Sequence, residues 1–111
     1  MKLTHVMAAT AASLFLLSGA ASAAADVEAA QSLAKQEKCT KCHASDKKKD
    51  GPSYKETAEK YKGKADAAEK LYKHLITGPT IKVDGKEEKH NVVKTKDEAA
   101  IKNLVAWILS R

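Results

Sequence analysis

The chain has 111 residues, with 20 Lys plus Arg against 14 Asp plus Glu for a net charge of +6. That length holds one small domain and no more. The positive balance is almost entirely lysine, Arg111 being the single arginine, with acids interspersed; without an arginine cluster or an aromatic stacking platform, nucleic-acid binding is a poor fit.

Residues 1–23 have the pattern of a secretory signal. Lys2 supplies the positive start, Val6 to Leu17 an apolar run, and Ala21-Ser22-Ala23 a small-x-small cleavage site. Cleavage is expected after Ala23, with Ala25 as the second option because Ala23-Ala24-Ala25 also fits. An uncleaved anchor is disfavoured, since the apolar run is short against a span of about 20 residues and has no stop-transfer flank. The domain proper is then 24–111, an exported unit with no stable membrane insertion.

Asp26 to Lys38 reads as a first helix, with Asp26 as N-cap, Glu28 in the first turn, and Val27, Ala30, Leu33 and Ala34 on one face of mostly small residues. It runs into Cys39-Thr40-Lys41-Cys42-His43, two thiols and an imidazole on about one and a half turns of helix. This is the arrangement that attaches a c-type haem, each thiol adding to a vinyl group and the histidine ligating iron. A thioredoxin-like redox pair needs a βαβ context that is not visible. A zinc site lacks a second cysteine pair, and a disulfide closed over two residues is strained. The haem reading also suits the composition. Phe15 falls in the signal, leaving one Trp and three Tyr as the aromatic content of 24–111. A domain this small buries only about 60–65% of its unfolded surface, so a large flat apolar cofactor supplies core volume.

Beyond the motif, Lys47-Lys48-Lys49 and Asp50-Gly51-Pro52 form a charged loop and a turn. Ser53 can cap a short helix to about Tyr61, stopped by Gly63. Asp66 to Thr77 is a further helix with Ala68, Leu71, Tyr72 and Leu75 on one face and His74 at its margin, closing at Gly78-Pro79. Thr80 to Lys94 has no helical period and is long for a link in so small a domain. Within it, Ile81-Lys82-Val83 can enter an Asp84-Gly85 turn as a short strand, and His90-Asn91 follows. Thr95-Lys96-Asp97-Glu98 has the capping-box pattern. Ala100, Ile101, Leu104, Val105, Trp107 and Ile108 then make a broad apolar face running to Arg111.

This order of parts resembles a bacterial class I cytochrome c, and the resemblance covers essentially all of 24–111. It is carried by the helix into Cys39-Thr40-Lys41-Cys42-His43, by Gly51-Pro52-Ser53-Tyr54, by the helix ending at Gly78, and by Asp97 to Leu109. It implies an all-α fold with first and last helices crossing beside one covalent haem. With the export signal, the expectation is a periplasmic, monomeric electron carrier; no acid-base pair that would suggest an enzyme is evident, and the lysine excess suits docking to acidic redox partners. By position, Cys39 and Cys42 are the thioether sites, His43 is the proximal ligand, Pro52 orients it, and Tyr54 and Trp107 orient the haem or pack on it. Ala30, Leu33 and Leu104 join Trp107 at the helix crossing.

One departure stands out. The family usually supplies a distal methionine before the last helix, but Met1 and Met7 are the only methionines and both lie in 1–23. His90 is closest to the expected place, with His74, Asn91, water or an empty position as alternatives. A second imidazole favours ferric iron and lowers the potential relative to a thioether. A displaceable distal ligand would instead make a haem protein that binds or senses NO, CO or O2.

Overall fold

The structure is a computed structural model and describes residues 24–111; the expected signal and its cleavage site lie largely outside them. Four helices and one two-stranded hairpin follow in the order α1 (Val27–Gln36), α2 (Tyr54–Tyr61), α3 (Ala67–Thr77), β1 (Thr80–Val83), β2 (Lys86–Lys89), α4 (Glu98–Leu109). Among the described residues no helix is long and apolar enough to cross a membrane.

Asp26 caps α1, its carboxylate accepting from Ala29 N at 3.0 Å, and Ala30, Leu33 and Ala34 form the buried face. Val27 departs from that face and is 46% exposed, because a side chain on the first helical residue leans back past the helix end. The helix stops at Gln36, short of the expected Lys38. Lys38 adopts a left-handed conformation (φ 60°, ψ 25°), and Cys39–Lys41 makes its own turn of 3₁₀ helix. A left-handed residue ends the α-helical hydrogen-bond run, so the cysteine motif sits beyond a break and does not continue α1.

The capping box occurs at α2. Ser53 Oγ accepts from Glu56 N at 3.0 Å, and Glu56 Oε2 accepts from Ser53 N at 2.8 Å. At α4, where a box was expected from Thr95, the N-cap is Asp97, which accepts from Ala100 N at 3.1 Å, and Thr95 Oγ1 accepts from Asp97 N. Glu98 is then the first helical residue. On α3 the buried row is Ala67, Leu71 and Leu75, an i, i+4 line, which leaves Ala68 exposed. The hairpin extends the single strand read from sequence. β1 pairs antiparallel with β2 from Thr80↔Lys89 to Val83↔Lys86. The turn residues Asp84 (φ 49°) and Gly85 (φ 76°) both lie at positive φ, the backbone that a two-residue hairpin requires.

α4 is the spine of the core and packs against α1, α2 and α3. It ends at Leu109, with Ser110 as C-cap. Ala30 and Leu104 have no exposed surface, so α1 and α4 meet closely at a small residue. Two polar pins lock the pair. Asn103 Oδ1 accepts from Asp26 N at 2.8 Å and Asn103 Nδ2 donates to Asp26 O at 2.9 Å. At the other end of α1, Glu37 accepts from Lys94 N at 2.7 Å and Thr95 N at 3.1 Å. Asn103→Ala removes two backbone-directed hydrogen bonds and is expected to cost about 1–2 kcal/mol; guanidinium unfolding of the holoprotein reads it as a lower midpoint at unchanged slope.

Candidate functional site

A cavity of about 530 Å³ opens between the cysteine turn, α2, α3 and the loop after β2. Its size is that of a small-molecule or cofactor site, and its walls include Leu71, Leu75, Val93 and Ile108 from the core. Cys39 and Cys42, both free thiols, line one side with His43. His74 and His90 also line it.

Each wall is held by backbone hydrogen bonds. The 3₁₀ turn is closed by His43 N donating to Cys39 O at 2.9 Å, and Gly51 N donates to Cys42 O at 2.8 Å. Lys49 Nζ donates to Thr40 O at 2.7 Å, so this member of the lysine run braces the motif. On the other side His90 N donates to Pro79 O at 2.9 Å and Val93 N to Leu75 O at 3.0 Å. The loop carrying His90 is thereby fastened to the end of α3.

The rings of His43 and His90 lie 6.1 Å apart between centres, tilted by 45°. His43 Nδ1 donates to Pro52 O at 2.7 Å, and His90 Nδ1 donates to Asn91 O at 2.8 Å. With the proton placed on Nδ1 in both rings, both Nε2 lone pairs are free. Metal–imidazole bonds of about 2.0–2.1 Å put two rings on opposite sides of one metal with centres a little over 6 Å apart, which is the separation seen. Burial lowers the His90 pKa, and burial together with His90 and His43 pushes His74 down to about 4. His74 is therefore neutral near pH 7 and stands 4.3 Å from His90, ring centre to ring centre.

Tyr54 stacks on His43 at 5.8 Å with 23° between planes, and burial drives its phenol up to about 12. Trp107, expected against the haem, stands behind Tyr54 in an edge-on contact at 5.1 Å and does not line the cavity. Tyr54 Oη and Trp107 Nε1 are buried without a hydrogen-bond partner among the described residues. Gly51 is the residue that sequence reasoning missed. A Cβ there would lie 2.5 Å from His43 Cε1 and 2.8 Å from His43 Nδ1, so the turn glycine is also the backing of the imidazole. Asn91, an alternative ligand by sequence, contributes its carbonyl to His90.

The sequence model of the Cytochrome c family matches residues 27–111. The chain belongs to that family. The cytochrome is 36% identical over 83 residues to cytochrome c-551 of Azotobacter vinelandii, covering 75% of this chain and 98% of the relative. It is 35% identical over 97 residues to cytochrome c-552 of Hydrogenobacter thermophilus, with 86% and 95% covered. Among solved structures it is similar to the class 1 cytochrome MtoD from Sideroxydans lithotrophicus ES-1, at 57% identity, TM-score 0.76, and coverage of 78% of this chain and 97% of the other. It is also similar to Nitrosomonas europaea cytochrome c552, at 30% identity, TM-score 0.58, and coverage of 72% and 96%. The family and the Cys39-Thr40-Lys41-Cys42-His43 motif give the cytochrome one covalent haem c with its iron. The free thiols, the apolar cavity and the unpartnered buried hydroxyl of Tyr54, which lines it, fit that group. The cytochrome is an electron carrier serving redox partner proteins, not an enzyme.

Proposed function

We propose that this cytochrome carries single electrons in the periplasm with its iron held between His43 and His90, at a potential below that of relatives with a distal methionine. The haem supplies a one-electron ferric/ferrous couple; the chain supplies ligands, orientation and a dry pocket. Cys39 and Cys42 tether the group, Pro52 O holds the proximal ring in its tautomer, and Asn91 O does the same for the distal ring. The observation that carries this reading is the pair of imidazoles with ring centres 6.1 Å apart, both lining the cavity and both with Nδ1 engaged. The lack of any methionine in residues 24–111 supports it.

A fixed ligand is favoured over a displaceable one, because the His90 loop is fastened at Pro79 and Leu75. The carrier is therefore preferred to a gas-binding sensor. Ala25 packs against the core, which supports processing after Ala23, leaving a domain of 24–111. Acidic partners suit the cavity rim. Lys38, Lys60, Lys82 and Lys89 stand there, while two of the rim acids, Glu37 and Glu56, are occupied in backbone hydrogen bonds. Such a field speeds encounter and is screened by salt. We also propose that the carrier works as a monomer.

The test is a redox titration and ferric EPR spectrum of wild type beside His90→Met. The wild type is expected to be low-spin with two nitrogen ligands and to bind no CO when reduced. The methionine variant is expected to rise in potential by on the order of 0.1–0.3 V, part of the ~0.8 V that axial ligands command. A wild-type potential already in the methionine-ligated range, unchanged in the variant, overturns the ligation.

A further inference from the structure

We infer that His74 is a positioning residue for the distal imidazole: its ring forms a wall that fixes the rotation of His90 and hence the angle between the two axial rings. This rests on His90 as the distal ligand and goes beyond it.

The proximal ring is fixed on several sides. Its Nδ1 is bonded to Pro52 O, Gly51 lies against its edge, and Tyr54 lies along its face at 5.8 Å. The distal ring has the corresponding hydrogen bond, to Asn91 O. One hydrogen bond at one edge leaves a ring free to swing, so a second contact is needed to hold its plane. His74 makes that contact, 4.3 Å between centres at 59° between planes, a tilted arrangement that aromatic rings favour. Among the described residues, His43 is the one other aromatic ring in contact with His90.

The wall is anchored where it must be. His74 lies on the last turn of α3. The same helix end receives the His90 loop through Pro79 O and Leu75 O, and the space beside Gly78 is filled by the His90 carbonyl. The backbones at positions 74 and 90 are thus held at one separation, and the ring-on-ring contact transmits that to the ligand plane. The groups that orient a metal-bound imidazole also tune how tightly it binds.

The experiment compares ferric EPR and ferrous CO binding for wild-type holoprotein, His74→Ala, His74→Phe and His90→Ala. The largest g value of a low-spin ferric haem follows the angle between its axial imidazole planes, and CO binding reports how readily the distal ligand leaves. His74→Ala is expected to move the largest g value and to bind CO when reduced, where wild type binds none. His74→Phe, which keeps a flat ring in the same space, is expected to stay near wild type in both readouts and also serves where the alanine variant folds poorly. A His74→Ala spectrum and CO affinity identical to wild type, beside a changed His90→Ala, overturns the proposal alone. Equal shifts in the Ala and Phe variants overturn the wall, since a ring nitrogen would then be what matters. A His90→Ala protein that keeps the wild-type spectrum overturns the ligation and this inference with it.

Discussion

Replacing Gly51 with alanine is expected to turn the proximal imidazole out of place while leaving the fold intact. Gly51 is not among the positive-φ residues, so alanine meets no backbone strain and the effect is steric. The new methyl carbon would stand 2.5 Å from His43 Cε1 and 2.8 Å from Nδ1. An exposed ring would swing aside at little cost. This one cannot, because Nδ1 is bonded to Pro52 O at 2.7 Å and the face is stacked on Tyr54. The ring must give up one of these or its iron. Losing the carbonyl hydrogen bond makes the imidazole a weaker donor, which destabilises ferric iron relative to ferrous. A differential of about 1 kcal/mol corresponds to ~40 mV for one electron, so the potential is expected to rise by on the order of tens of millivolts. Redox titration reads the shift, and the yield of haem-loaded protein is expected to fall. A variant with wild-type potential and yield would mean that His43 does not depend on this turn.

Gly78→Ala should act on the other imidazole, and more severely. Gly78 sits at φ +60°, where a side chain costs about 1–2 kcal/mol, and its Cβ would meet His90 O at 2.6 Å and Val92 Cγ2 at 2.8 Å. The obstacle includes backbone, so the loop itself must move, straining the Pro79 and Leu75 hydrogen bonds that fasten it. Together these are expected to remove about 2–4 kcal/mol of stability and, on the His90 ligation proposed above, to free that ligand in part of the population, seen as high-spin signal and CO binding. Gly63 provides the control within the same chain. It has φ +75° with nothing within 4 Å of its Cβ position, so Gly63→Ala bears the backbone cost alone and leaves the spectrum unchanged. The difference between the two variants measures the seat of the His90 loop. If Gly78→Ala costs no more than Gly63→Ala and the spectra match, that seat is not what places His90.

Local chemistry was readable along the chain wherever one residue acts on its near neighbours. Asp26 and Ser53 cap their helices because a short polar side chain reaches free N–H groups two or three residues on. The Asp84-Gly85 turn was likewise visible, but its partner strand was not. Lys86-Glu87-Glu88-Lys89 has no apolar alternation, and it pairs because the turn returns it alongside β1. Gly51 and Gly78 read as punctuation, because the groups they admit, the His43 ring and the His90 carbonyl, come from elsewhere in the chain. Asn103 and Glu37 carried no signal at all, each serving backbone that lies far away in sequence.

What the sequence by itself determined is the covalent chemistry and the identity of the fold. Cys39, Cys42 and His43 react as a local unit whose spacing is set by the backbone, and the helical periods with their caps define the segments that must bury an apolar face. What only the tertiary structure decided is which imidazoles meet. Periodicity placed His74 at a helix margin and left His90 in a loop; the closing of that loop onto α3 brought the His90 ring to 6.1 Å from His43 and 4.3 Å from His74. A distance between rings from separate segments depends on how the elements pack, and no local pattern encodes it.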